Sequence, residues 1–402
     1  MHQRSLRSRR AVQSRQGAAP RLAQDGPTGR QAMTSIAAVR KRLGSLVVAP
    51  VPGAPAGALS VAPASEQEAA RIMEVASEYR LPVLVLGGGT HQGYGAPVDP
   101  VIVVSTHNLQ TLEWRPDDLT ATVGAGVGVA DLEQRLVEGG QTAVLPEDPG
   151  GATVGGVVAA GISGYRRLRY GPTRDRVLGM TLVTGDGRIV RAGGTVVKNV
   201  SGYDLSRLAV GSFGRLGIIT AVSLKLWPRP QSIATVVGVL PEKALEATYR
   251  PLAVLEVDGQ GSVVVGGHPA MVQAEVDVLG GESLPGAVWP APLQSPFRCA
   301  LRVPARLVRQ AVEHVPPGWS YRAAFGVGEV RMGAEDPDVA ALSKIREWAE
   351  SVGGRLVVEA ASDDLAFDPW GTAPSTVGIQ RRLVAAFDPA GIVNPGRLPG
   401  EI

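Results

Sequence analysis

Two stretches decide how this chain is read: Gly151–Asp175, GATVGGVVAAGISGYRRLRYGPTRD, and Val196–Thr220, VVKNVSGYDLSRLAVGSFGRLGIIT. Both set glycine among Ala, Val and Ile, with few side chains suited to acid–base chemistry. Glycine loses more backbone freedom on folding than any other residue, so it costs stability in a regular element. Its density in an apolar run predicts close backbone approach or positive φ. A large flat ligand lying along the backbone would use such positions.

Working outward, Leu59–Pro63 (LSVAP) reads as a strand and Ser65, with Glu68 three residues on, as a capping box. Ala69, Ile72, Met73 and Ala76 then form one apolar helical face. Leu81–Leu86 and Val101–Ser105 read as buried strands either side of GGGTHQGYG, Gly87–Gly95. This order predicts a small parallel sheet. Leu109–Gly126 reads as a hairpin around Pro-Asp-Asp, Val129–Glu138 as a helix ended by Gly139-Gly140, and Met180–Gly194 as a hairpin around Gly-Asp-Gly. Leu216–Pro230 reads as one long strand closed by two prolines. From Ser232 to about Ser362, alternating strand and helix patterns predict a ferredoxin-like second domain. Turn-rich Phe387–Gly400 follows.

The net charge of +3 misleads. Of 40 basic and 37 acidic residues, ten basic residues and Asp25 fall in residues 1–45, leaving 30 against 36. The basic character belongs to an N-terminal stretch without hydrophobic period, read as a disordered solvated tail, with Met33 as an alternative start. The rest carries no global signature of nucleic-acid binding. One cysteine, Cys299, excludes an internal disulfide and a self-contained cysteine-ligated Fe–S cluster. No apolar run approaches the length of a membrane span.

Gly87-Gly88-Gly89-Thr90-His91 directly follows a buried strand, where successive backbone N–H groups can form an anion-binding nest; an ordinary glycine turn fits those residues too. Val123–Gly128 is G-x-G-x-G rather than the dinucleotide fingerprint, and the chain has no P-loop. Its five histidines form no metal-ligating spacing, and no G-x-S-x-G elbow occurs. Weak support for side-chain chemistry points to an organic cofactor that carries the reaction.

In order along the chain, PVLVLGGGTHQG, ATVGAGVGVADLEQRL, PGGATVGGVVAAGISGYRRLRYG and VVKNVSGYDLSRLAVGSFGRLGIIT resemble the flavoproteins of vanillyl-alcohol oxidase and p-cresol methylhydroxylase type. Arg166, Arg169-Tyr170-Gly171, Arg174-Asp175, Lys198-Asn199, Gly202-Tyr203-Asp204 and Asn394-Pro395-Gly396 resemble the FAD-binding subunits of bacterial glycolate oxidases. The resemblance implies an α+β fold. A two-subdomain FAD-binding domain (46–230), with a small mostly parallel sheet and a larger antiparallel sheet, would follow the tail (1–45). A ferredoxin-like cap (231–380) and a segment returning to the FAD domain (381–402) would complete it. It implies that Gly87, Gly88, Gly89, Thr90 and His91 wrap the FAD pyrophosphate. Pro149, Ala152, Thr153, Gly155 and Gly156 would line flavin and diphosphate. Gly161, Ser163 and Gly164 would admit the isoalloxazine, and Gly217 and Ile218 would receive the adenine end. Thr90, rather than a histidine, follows the paired glycines, which predicts non-covalent FAD.

By the same resemblance the reaction is oxidation of a 2-hydroxy acid, glycolate, to a 2-oxo acid. A second flavoprotein subunit and an Fe–S subunit would be the partners, in the cytoplasm or peripheral at the inner face of the membrane. Phe213 and Arg215 stand where catalytic relatives carry an acid and a threonine. Arg166, Tyr170 and Lys198 are candidate catalytic residues by position alone. A stand-alone FAD oxidase or dehydrogenase of another hydroxylated substrate and a non-catalytic FAD-binding structural subunit remain alternatives.

Overall fold

The computed structural model describes residues 29–147, 150–194, 204–362, 364–400 and 402. It opens on α1 (Gly29–Leu43), which corrects the expectation of a tail without structure up to residue 45. Val39, Leu43 and Leu46 recur at helical spacing and are buried. The expectation for residues 1–28 lies outside the described residues.

β1 (Leu59–Val61), α2 (Glu66–Glu78), β2 (Val83–Leu86) and β3 (Ile102–Ser105) follow. The strands form a parallel sheet of order β1-β3-β2. Their near-continuous Val/Ile/Leu content reflects burial on both faces: α2 covers one, and the Val51–Ala58 stretch packs on the other. Ser65 caps α2 by accepting from the Glu68 amide at 3.2 Å, while Glu68 reaches back to the Ala64 amide at 2.7 Å.

The chain continues through β4 (Leu112–Arg115), β5 (Thr120–Gly124), α3 (Val129–Val137), β6 (Gln141–Thr142), α4 (Val154–Ala160) and α5 (Arg167–Tyr170). β7 (Val177–Val183), β8 (Ile189–Gly193), α6 (Leu205–Ala209), β9 (Ile218–Lys225) and β10 (Trp227–Pro228) come next. β4-β5-β9-β7-β8 form an antiparallel sheet, with α3 and α4 in the core beside it. The expected single strand to Pro230 is two: after Leu226 the chain leaves this sheet, and β10 pairs with β6.

The last half comprises β11 (Ser232–Val237), α7 (Pro241–Ala247), β12 (Ala253–Val257), β13 (Gln260–Gly267), α8 (Pro269–Leu279) and β14 (Glu282–Pro285). A second set follows: β15 (Phe297–Arg302), α9 (Val308–Glu313), β16 (Ser320–Ala324), β17 (Glu329–Ala334), α10 (Val339–Ser351) and β18 (Arg355–Ala360). Each set is a complete βαββαβ unit, and the sheet order β14-β11-β13-β12-β16-β17-β15-β18 joins them edge to edge. The expected ferredoxin-like unit is therefore present twice. The seam is β12 against β16, with Leu255 opposite Ala324. The junction covers an edge strand of each unit.

After α11 (Val377–Phe387) the chain returns to the small sheet. The Val83 amide donates to Ile392 O and the Asn394 amide to Val83 O, both at 2.8 Å. Asp388, fully buried, accepts Arg215 Nη1 at 2.6 Å and the amides of Ile392 (3.1 Å) and Val393 (3.0 Å). Arg215 also donates to Val393 O at 2.8 Å. Arg215 is thus a structural clamp. Removing one member of a buried ion pair strands the other charge in low dielectric. Asp388→Ala should therefore lower unfolding stability by about 3–5 kcal/mol, read as a shifted denaturant midpoint. A change under about 1 kcal/mol, the scale of an exposed pair, would remove the clamp.

Candidate functional site

A cleft of about 730 Å³ opens between the small sheet and the antiparallel sheet. The loop after β2 forms one wall with Gly87, Gly88, Gly89, Thr90 and His91. Thr153, Gly155 and Gly156 at the start of α4 and Gly214, Gly217 and Ile219 before and in β9 form the other. Close packing explains several of these glycines. A Cβ on Gly88 would overlap Gly151 O, and one on Gly155 would come within 2.5 Å of Ala125 Cβ. Gly156 differs: a Cβ there would meet only Thr153 Oγ1, at 3.1 Å, and otherwise project into the cleft. The buried Thr106 hydroxyl, also on this lining, has no hydrogen-bond partner. The rim is held from the C-terminal segment. Asn394 accepts the Val85 amide and donates to Phe213 O, both at 2.9 Å, while Arg397 donates to Gln92 O and Tyr94 O at 2.6 Å.

The glycine walls and the unpartnered hydroxyl suit a large flat cofactor with polar groups along its length. Residues 57–193 match the family described as "FAD binding domain". The chain is 30% identical over 350 residues to the glycolate oxidase subunit GlcE of Escherichia coli, covering 80% of this chain and 94% of that protein. The chain belongs to the FAD-binding oxidoreductases of p-cresol methylhydroxylase type. FAD is accordingly its cofactor. A D-lactate dehydrogenase of Archaeoglobus fulgidus is 38% identical over 184 residues, 45% of this chain but only 41% of that one. In fold, the chain matches a carbohydrate oxidase from Microdochium nivale with TM-score 0.65, at 16% identity over 91% of this chain and all of the other.

Several residues assigned to FAD through the family pattern have other neighbours. Ile218 is fully buried in the core of the small sheet, and Ile219 faces the cleft. Opposite β7, Leu182 pairs with Ile219 and Thr181 with Ala221, so β9 carries one extra residue. Such a bulge reverses which face a side chain takes. Gly161 (φ 67°) ends α4, and a Cβ there would lie 2.9 Å from Gly211 Cα. Ser163 accepts the Thr173 amide at 2.9 Å. Gly164 makes room for the Glu147 carboxylate, which accepts the amides of Tyr165 (2.7 Å) and Arg166 (3.0 Å). Ala152, Ser163 and Gly164 do line a second cleft, described below. Pro149 and Lys198 lie outside the described residues.

Arg166, a candidate for catalysis, is committed elsewhere. Its Nε donates to Glu147 at 2.8 Å and its Nη2 to Leu145 O at 2.8 Å. Tyr170 packs on Trp227, ring centroids 5.2 Å apart, and borders a separate hollow with Arg166 and Trp289. Neither side chain lines the glycine cleft or the second cleft.

The second cleft, about 720 Å³, adjoins the first at His91, the one titratable described residue common to both linings. It lies between α4–α5 and the cap, lined by Tyr165, Arg167, Glu329 and Arg331 among others. Glu329 sits 3.3 Å from Arg302 and 3.1 Å from Arg331, which in turn lies 3.6 Å from Glu359. Burial pushes the Glu329 carboxyl up, but Arg331, Arg302 and Arg167 together hold it below the usual range. Tyr94 donates to Glu359 at 2.5 Å, and burial with that neighbouring carboxylate raises its hydroxyl well above the usual tyrosine range. These partners come from strands far along the chain, and motif reading missed all of them. Among the described residues no His/Cys/Asp/Glu group could hold a metal, and no helix is long and apolar enough to cross a membrane.

Two outcomes follow from this geometry. Gly156→Val should retain the fold yet lose FAD, whereas Gly155→Val should cost about 1–3 kcal/mol of stability by overpacking against Ala125. Flavin content and melting of the two variants separate the cases, and full FAD content in Gly156→Val would count against the placement. His91 is pushed below the ordinary histidine value by burial and then by Arg331. Below about pH 6.5 the unfolded chain takes up a proton that the folded chain resists. The His91 contribution is therefore complete above about pH 6.5 and declines as pH falls. An NMR titration midpoint for His91 at or above 6.5 would contradict this.

Proposed function

We propose that this chain is the FAD-binding subunit of a 2-hydroxy-acid dehydrogenase complex, acting on glycolate or a close analogue. The observation that carries the reading is the match along 94% of the glycolate oxidase subunit GlcE, to which the two adjoining clefts give a physical site. Gly87 to His91, Thr153, Gly155, Gly156 and Gly217 would hold the cofactor without a covalent bond. Thr90, not a histidine, follows the paired glycines, and its hydroxyl lies 2.8 Å from His91 Nδ1. FAD, when bound there, would supply the two-electron oxidising power for converting a carbinol to a carbonyl. The second cleft would present the carbinol carbon, with the cap and Tyr165 excluding water. Electrons would leave to an Fe–S partner, because a chain with one cysteine cannot build a cysteine-ligated cluster. A second flavoprotein subunit and a place at the cytoplasmic face of the membrane complete the proposal.

The test is a visible spectrum of the purified chain before and after anaerobic glycolate. The expected result is a flavin spectrum that bleaches, with the colour released to the supernatant on acid precipitation. Failure to contain or bind FAD would overturn the reading. Flavin that no 2-hydroxy acid reduces would leave the cofactor assignment and move hydride transfer to a partner subunit.

A further inference from the structure

In and around the second cleft the guanidinium groups of Arg166, Arg167, Arg302 and Arg331 face the carboxylates of Glu147, Glu329 and Glu359. Glu147 is answered by Arg166, and Glu329 and Glu359 by Arg302 and Arg331. Arg167 is the cation left over. It lines the cleft, and among the described residues its guanidinium makes no hydrogen bond or contact ion pair, Glu329 acting on it only at longer range. It is partly buried, and that burial, the largest influence on it, lowers its basicity. A guanidinium that has lost part of its water shell without gaining a hydrogen-bonded carboxylate is stabilised by an incoming anion.

Its direction is fixed by its neighbour. Arg166 is clamped to Glu147, and Arg167 opens α5, where consecutive residues point about 100° apart. Holding Arg166 toward β6 and Leu145 therefore sets Arg167 toward the cap. Beside it the Tyr165 ring is stacked on Trp289, centroids 6.2 Å apart. Ile162, Pro290, Pro292, Ala324 and Val327 give the same cleft an apolar wall. A fork-shaped cation without a hydrogen-bonded partner, in a cleft that has an apolar wall and adjoins the glycine cleft, is a site for a small carboxylate.

We propose that Arg167 binds the carboxylate of the substrate and so orients the carbinol carbon toward the cofactor cleft, an assignment that rests on the 2-hydroxy-acid reading above. Arg166, the position that the glycolate oxidase pattern singles out, instead positions α5 so that Arg167 can do so.

The experiment is calorimetric titration of the FAD-loaded full chain with oxalate, a carboxylate with no hydride to give. Wild type should bind it, and R167M should bind about 10- to 100-fold more weakly, the range of a lost charge-assisted pair. R167K, which keeps the charge but not the fork, should fall between them. The flavin spectrum reports whether each variant is folded and loaded, and R167Q replaces R167M if the latter loses FAD. A loaded R167M or R167Q that binds oxalate as tightly as wild type overturns the role of Arg167 and leaves the 2-hydroxy-acid reading standing. A loaded wild type that binds neither oxalate nor glycolate overturns both.

Discussion

The clamp between Arg215 and Asp388 is the interaction on which the site depends. It is buried, and each partner has further hydrogen bonds, as a desolvated ion pair requires. Its effect reaches beyond its own contacts. By fixing the turn at 388–393, it places Asn394 between β2 and Phe213 and brings Arg397 to the loop at Gln92 and Tyr94. The two walls of the cofactor cleft come from separate sheets. The C-terminal segment is what ties their rims to each other.

A second set of charges does similar work at the cap. Arg302, Glu329, Arg331 and Glu359 alternate in sign along neighbouring cap strands, and Tyr94 of the glycine loop closes the chain of contacts. Glu329, Arg331 and Glu359, largely out of water, need defined partners, so they fix the relation of cap to loop more than they add stability. The doubled βαββαβ sheet supplies a rigid platform for them, because β17 and β18 both pair with β15 inside the sheet.

Local signals in the sequence were sufficient for much of this fold. The capping box at Ser65, the Gly-Asp-Gly hairpin and the parallel strands around residues 83–105 depend on neighbours a few residues apart. The glycine loop, which lines the cleft, stood out for the same reason. What escaped depends on distance. Arg166 looked catalytic because its partner, Glu147, lies in a turn without a pattern of its own. The joining of two ferredoxin-like units rests on pairing between residues near 255 and 324, which no local period announces. Ile218 and Ile219 exchanged roles through a single bulge, a feature invisible to alternation. The helix at 29–43 was hidden because the apolar spacing of Val39, Leu43 and Leu46 is set among Arg and Lys.

The bond between the Val85 amide and Asn394 spans 309 residues. On a ribosome adding about 5–20 residues per second, β2 therefore waits roughly 15–60 s for its last partner. Once residue 219 has been added, the nascent chain has both glycine walls but nothing to hold their rims. The cap must emerge after both walls and before the C-terminal segment that joins their rims. Cofactor capture thus belongs to the end of synthesis, and a chain stalled within the cap would be unable to retain it.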